Sequence, residues 1–106
     1  MTKTPQQLGR EYEKTLEKDH KLKAVKGSGS LWYKKGDLVG PGVLVQAKHT
    51  IKPSFSLTDE VFTKHCKECR TNQTPVMFIK TKGQEYLLLD ASWADEVLEL
   101  IEDLMT

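Results

Sequence analysis

Residues 37–48 read Asp37-Leu38-Val39-Gly40-Pro41-Gly42-Val43-Leu44-Val45-Gln46-Ala47-Lys48, and this stretch decides the fold. Asp37-Leu38-Val39 and Val43–Lys48 are β-rich runs, and Gly40-Pro41-Gly42 between them has the composition of a tight turn, so the stretch predicts a hairpin. Side chains alternate along a strand, which puts Gln46 and Lys48 on one face and Ala47 on the other. Asp37 joins Gln46 and Lys48 when the hairpin pairs in this register. A carboxylate, an amide oxygen and backbone carbonyls are hard donors suited to Mg2+ or Mn2+. A lysine beside such an ion can position water and stabilise charge developing on a phosphate. The spacing D-x8-Q-x-K is nevertheless built of common residues, and a lysine ending a strand is usually just solvated.

Upstream, Thr4-Pro5-Gln6-Gln7 has the signature of a helix start, with a Thr cap, Pro at the first position and Gln at the third. Leu8, Tyr12 and Leu16 follow at helical spacing and predict an amphipathic helix over 5–18. Leu22, Ala24 and Val25 suggest a short strand ended by Gly27-Ser28-Gly29-Ser30. Downstream, Ser56 is expected to cap a helix with Asp59 at the capping-box position. Leu57, Val61, Phe62, His65 and Cys69 would form its inner face, and Asn72 to Pro75 would stop it. Val76–Lys80 and Glu85–Leu89 read as two strands joined at Lys82-Gly83. Ser92 is expected to cap a last helix, with Asp95 three residues on and a buried stripe of Trp93, Val97, Leu100, Ile101 and Leu104. The resulting order, α-β-β-β-α-β-β-α, predicts an α/β fold with a mixed β-sheet flanked by helices in two or three layers.

A chain of 106 residues, 38% hydrophobic and 29% charged, has room for one domain spanning 1–106 with a modest core. No stretch approaches the roughly 20 apolar residues of a membrane span, and the N-terminus lacks the apolar run of a signal peptide. A cytoplasmic protein is the expectation. The net charge of +1 hides an asymmetry. Residues 1–36 hold nine Lys/Arg against four Asp/Glu (+5), residues 37–82 hold seven against four (+3), and residues 83–106 hold none against seven (−7). An anion-binding body with an acidic outer helix would have this distribution. Ordinary solvated faces would have it too.

Further residues extend the pattern. Gly9-Arg10-Glu11-Tyr12-Glu13 lies in the first helix, Gly27-Ser28-Gly29-Ser30 forms a small-residue loop, and Asp37-Leu38-Val39 and Val45-Gln46-Ala47-Lys48 follow in order. From about Gly9 to Val76, and more weakly to Leu89, the chain resembles the archaeal-type Holliday-junction resolvases of the PD-(D/E)xK nuclease superfamily. Glu13 falls at that family's helix carboxylate, Ser30 at its loop serine, Asp37 at its D-L-V aspartate, and Gln46 and Lys48 at its E-x-K. The resemblance implies a restriction-endonuclease-like sheet and a magnesium-dependent endonuclease, with manganese as an alternative, acting on branched DNA as a homodimer. It implies in-line attack by water activated at the metal. Asp37, Gln46, the Ala47 carbonyl and Glu13 would be ligands, and Lys48 would act on water or phosphate. Small resolvases of this kind are often carried by phages. Two departures stand out. The segment between Ser30 and Asp37 is longer than the family pattern, and Gln46 replaces the carboxylate of E-x-K. Gln keeps a coordinating oxygen but removes a negative charge, so metal affinity should fall. A nuclease fold that binds DNA without cutting it is the alternative.

Phosphate contacts are expected from Arg10, Lys14, Lys26, Lys34, Lys35, Lys52 and Lys64. Trp32 and Tyr33 could stack on a base, pack in the core or meet a partner chain. The Gly27–Ser30 loop lacks the lysine and following helix of a P-loop, which excludes a nucleotide cofactor held that way. Cys66 and Cys69 make one C-x-x-C, without the second pair that a structural zinc needs. Adjacent His65 and Cys66 diverge on a helix, which argues against a catalytic pair.

Overall fold

The computed structural model describes residues 3–24 and 37–106, and the elements follow the expected order. They are α1 (Pro5–His20), β1 (Lys23–Ala24), β2 (Asp37–Gly40), β3 (Val43–His49), α2 (Asp59–Glu68), β4 (Thr74–Lys80), β5 (Glu85–Leu89) and α3 (Ala94–Met105). The five strands form one mixed sheet in the order β1-β2-β3-β4-β5, with β3 and β4 parallel and every other pair antiparallel. The chain is therefore α/β.

Local chemistry sets the boundaries. The Thr4 hydroxyl accepts from the Gln7 N–H and the Gln7 amide accepts from the Thr4 N–H, a complete capping box with Pro5 in the first turn. Turning β2 into β3 requires Pro41 and Gly42. Proline holds φ negative at the first turn position and Gly42 takes φ +72° at the second, where a side chain would be strained. Antiparallel strands close with such a short turn, whereas parallel β3 and β4 need the long crossover that contains α2.

One face of the sheet carries the main core. Tyr12 and Leu16 of α1 pack with Leu22, Leu38, Val45, Ala47 and Val76, flanked by Val43, Phe78 and Leu89. Leu44, Met77 and Ile79 are buried on the other face, which α2 covers. His65 is the buried residue of α2 and is fully enclosed. Its Nε2–H is shared between the carbonyls of Leu44 (2.9 Å) and Val76 (3.0 Å), so one imidazole spans the β3–β4 seam. At the far end of the main core, the Tyr12 hydroxyl donates to Glu85 at 2.6 Å. The Tyr12 ring lies 5.6 Å from His49 and beneath the Lys80 ammonium.

Several expectations are corrected. Thr58, not Ser56, caps α2, because its hydroxyl is the one that reaches the Val61 N–H. Leu57 precedes the helix and is exposed. That helix ends at Glu68, with Cys69 at its cap, so Asn72 to Pro75 do not stop it. Pro75 lies inside β4 opposite Leu44. The Thr74 N–H is directed at β3, so residue 75, one further on, faces β5 beyond that strand's last residue and no ladder bond is lost. Asp90, not Ser92, accepts from the Ser92 N–H and opens a 3-10 turn over Ala91–Trp93. α3 then starts without a side-chain cap. The largest correction concerns α3 itself: none of its residues is buried, and Leu100, Ile101 and Leu104 are 60%, 51% and 77% exposed.

Burial first, and then the bond to Glu85, pushes the Tyr12 phenol well above its ordinary value. An acid group whose folded value exceeds its unfolded one stabilises the fold below the unfolded value, and that contribution is lost as pH rises above it. Unfolding free energy should therefore decline from about pH 10 upward, where the unfolded chain's tyrosine begins to ionise. Tyr12→Phe should flatten that decline, as urea midpoints measured across pH 8–11 would reveal.

Candidate metal and phosphate site

The hairpin register puts Asp37 directly opposite Gln46, Leu38 opposite Val45 and Val39 opposite Leu44. Positions 37 and 46 thus share a face, and Lys48, two residues on, shares it as well. It is the α2 face, because the alternate set Val45, Ala47 and Leu38 belongs to the core under α1. The expected convergence of positions 37, 46 and 48 is what the backbone delivers.

The ladder adds detail. Gly42 O and Thr50 N both bond to β4, so even-numbered residues of β3 turn their backbone polar groups toward β4 and odd-numbered ones toward β2. Positions 37 and 46 are accordingly a non-hydrogen-bonded pair, the antiparallel arrangement in which Cα atoms approach to about 4.5 Å. The Ala47 N–H and C=O point toward β2, but the register pairs end at Asp37–Gln46. Position 36, the next across from Ala47, lies outside the described residues.

Gln46 and Lys48 are half-buried, flanked on β4 by Met77 and Ile79. Among the described residues neither makes a hydrogen bond or an ion pair; the ion pair found there is Lys3–Glu11 at the surface, 2.7 Å. The polar ends of Gln46 and Lys48 reach solvent, since the buried side-chain atoms without a partner among the described residues are His49 Nδ1 and His65 Nδ1. They are groups that a bound ion or phosphate could satisfy.

The donor set of one carboxylate, one amide oxygen and one carbonyl fits a hard divalent cation. It contains no histidine or thiolate that would favour zinc. Among the described residues no cluster of three or more His, Cys, Asp or Glu could hold a metal, so a site here depends on neutral oxygens. Glu13 arises from α1, next to Tyr12, on the opposite face of the sheet. Ser30, Lys26, Lys34, Lys35, Trp32 and Tyr33 lie outside the described residues.

Of the expected phosphate contacts, Arg10 and Lys14 are exposed on α1, Lys64 is exposed on α2, and Lys52 is exposed beyond the end of β3. These positions are distributed over both layers. A cation that sequence reasoning did not single out is Lys82, whose N–H donates to the Lys52 carbonyl at 3.0 Å. That bond ties the segment after β3 to the β4–β5 turn and brings Lys52 and Lys82 together at the strand ends beyond Lys48. No sequence spacing signals this, since 30 residues separate the two. Likewise, the Tyr12–Glu85 bond closes over 73 residues. A shallow depression of about 380 Å3 on α2, lined by Asp59, Glu60, Thr63, Lys64 and Lys67, faces away from the sheet. Cys66 and Cys69 form no disulfide, and the Cys69 thiol donates to the His65 carbonyl at 3.6 Å.

No protein family, curated protein or solved structure matches this chain.

Because Gln46 and Lys48 contribute no internal bonds, replacing them should not weaken the fold. Gln46→Met and Lys48→Met are expected to leave stability unchanged or raise it by up to about 1 kcal/mol. Urea midpoints at constant m-value test this. A loss above roughly 1 kcal/mol for either variant would mean that the side chain is held for the fold and not for a ligand.

Proposed function

We propose that the protein is a magnesium-dependent DNA endonuclease of the PD-(D/E)xK type with a restriction-endonuclease-like core, acting on branched DNA in the manner of Holliday-junction resolvases. The observation that carries the reading is the register of Asp37 against Gln46, with Lys48 on the same face of β3. Element order supports it as well: a helix and two strands follow the hairpin, as the motif resemblance implies.

Asp37, Gln46 and the Ala47 carbonyl would hold the cation, with Glu13 of α1 as a further ligand. Bound there, the cation would supply Lewis-acid stabilisation of the phosphate and lower the pKa of water. Lys48, half-buried and unpaired, orients the attacking water and offsets charge on the phosphate oxygens. Its low-dielectric flank of Met77 and Ile79 strengthens that interaction relative to bulk water. Lys52 and Lys82 hold the neighbouring backbone phosphate and set the register of the strand being cut. Ser30, and Lys26, Lys34 and Lys35 around it, would meet DNA from the segment before β2.

Gln46 favours a second reading, a nuclease fold that binds DNA without cutting it. A ligand set with one fewer negative charge holds a divalent cation less tightly. One experiment separates the two. With magnesium or manganese, the wild-type chain should nick a four-way junction, and Asp37→Ala and Lys48→Ala should each lower the rate by at least about 100-fold. Gln46→Glu should lower the magnesium concentration giving half-maximal cutting. Junction binding that persists without any cleavage, in wild type and Gln46→Glu alike, supports the second reading. Absence of binding at low salt eliminates both, since phosphate contacts weaken as salt rises and are strongest there.

A further inference from the structure

α3 is 12 residues long and packs against little besides the 3-10 turn that leads into it. It has no side-chain cap at its start and no basic residue in its last turn, where Glu102 and Asp103 oppose the helix dipole. Isolated helices shorter than about 12–15 residues are marginal in water, so a helix of this length depends on cover for its apolar side. That side is well defined. At 100° per residue, Val97, Leu98, Leu100, Ile101, Leu104 and Met105 occupy one arc of roughly 160°. All but Val97 are 51% to 81% exposed. Val97, Leu100, Ile101 and Leu104 stand at i, i+3, i+4 and i+7, the spacing by which a helix anchors its apolar side against a partner. Scattered apolar residues on a surface are ordinary, whereas a contiguous exposed patch marks an interaction site.

We propose that α3 docks a basic amphipathic helical segment of a different protein, apolar side to apolar side. Lysines or arginines of that segment meet the carboxylates that border the arc. Charge identifies the occupant. Asp95 and Glu102 lie within about 60° of Leu98 at one border, and Glu96 and Asp103 lie within about 60° of Leu100 at the other. An apolar strip edged with acid on both sides is complemented by one edged with base. Such matching speeds encounter, fixes the orientation of the partner and suppresses competitors of the wrong charge.

Other occupants fit less well. Residues 83–106 contain no Lys or Arg and seven Asp/Glu. Such a segment repels nucleic acid and anionic lipid, and helices that lie on membranes carry the opposite charge. A second copy of α3 would bring its own carboxylates to the same borders, and like charges across an interface cost affinity. The inference stands apart from the nuclease reading, because the contact involves neither metal nor DNA.

Fluorescence anisotropy of a labelled synthetic peptide tests it, with the full chain titrated from about 0.1 to 100 μM. The peptide is about 18 residues of leucine and lysine, with its leucines at i, i+3, i+4 and i+7. A scrambled peptide of the same composition and a counterpart with glutamate for lysine serve as comparisons. The expected result is half-saturation within that range, at least about tenfold tighter than for either comparison. Binding should weaken as sodium chloride rises from about 0.05 to 0.5 M. Ile101→Gln with Leu104→Gln keeps the net charge and uses a good helix former at exposed positions. This variant should bind more than about tenfold more weakly, with an unchanged urea midpoint. Absence of binding by the wild type overturns the proposal. Equal binding of the ordered and scrambled peptides, or of variant and wild type, overturns it too, because charge alone would then account for the contact. So does a two-chain mass in sedimentation that the peptide leaves intact, or capture of the chain by phosphatidylcholine vesicles in preference to the peptide.

Discussion

The pairing of β2 with β3 is the constraint on which the rest depends. Side-chain direction in a strand repeats every two residues, so a slip of one position would send Asp37 to the main core and leave Leu38 in its place. The fold blocks that slip twice. Pro41 and Gly42 admit a turn of one length, with Gly42 at φ +72°, and Leu38 is fully buried in the layer under α1. A shifted hairpin would have to expose Leu38 and bury a carboxylate, and the second of these alone costs several kcal/mol. The alignment of positions 37, 46 and 48 is thus a by-product of the same apolar burial that holds the sheet together.

The second structural commitment is the parallel seam between β3 and β4. Parallel strands cannot be joined by a hairpin, so their alignment depends on the crossover. His65 supplies the tie, its Nε2–H reaching carbonyls on both strands from inside α2. Nε2 acts as the donor to both carbonyls, and Nδ1 has no partner among the described residues. The seam also sets the flank of the candidate site, because Met77 and Ile79 lie beside Gln46 and Lys48 only in this parallel register.

Much of this was legible in the chain. The hairpin announced itself because its information is local: alternating residues, a Pro-Gly turn and a hydrophobic run of the right length. The same holds for the Thr4 capping box, where both halves lie within four residues. Helix starts at Ser56 and Ser92 were misplaced because several hydroxyls and carboxylates lie close together, and only backbone geometry decides which of them reaches an N–H. Pro75 reads as a breaker until one knows that its missing donor faces beyond the end of β5. Contacts such as Lys52 with Lys82 and Tyr12 with Glu85 were invisible, since they depend on how separated segments meet. For α3 the periodicity was read correctly, but a two-sided helix reveals only that one side wants cover and not which molecule provides it.

Acid and base are also separated in space as well as in sequence. The basic residues placed by the structure lie on α1, on α2 and at the ends of β3 and β4, whereas the acid of the last 24 residues runs along β5 and α3, at the sheet edge farthest from β1. Acidic side chains repel anions over distances of about a Debye length. Gln46 and Lys48 sit on β3, the central strand, with β4 between them and the acid of β5, so the register that aligns positions 37, 46 and 48 also keeps them off the acidic strand.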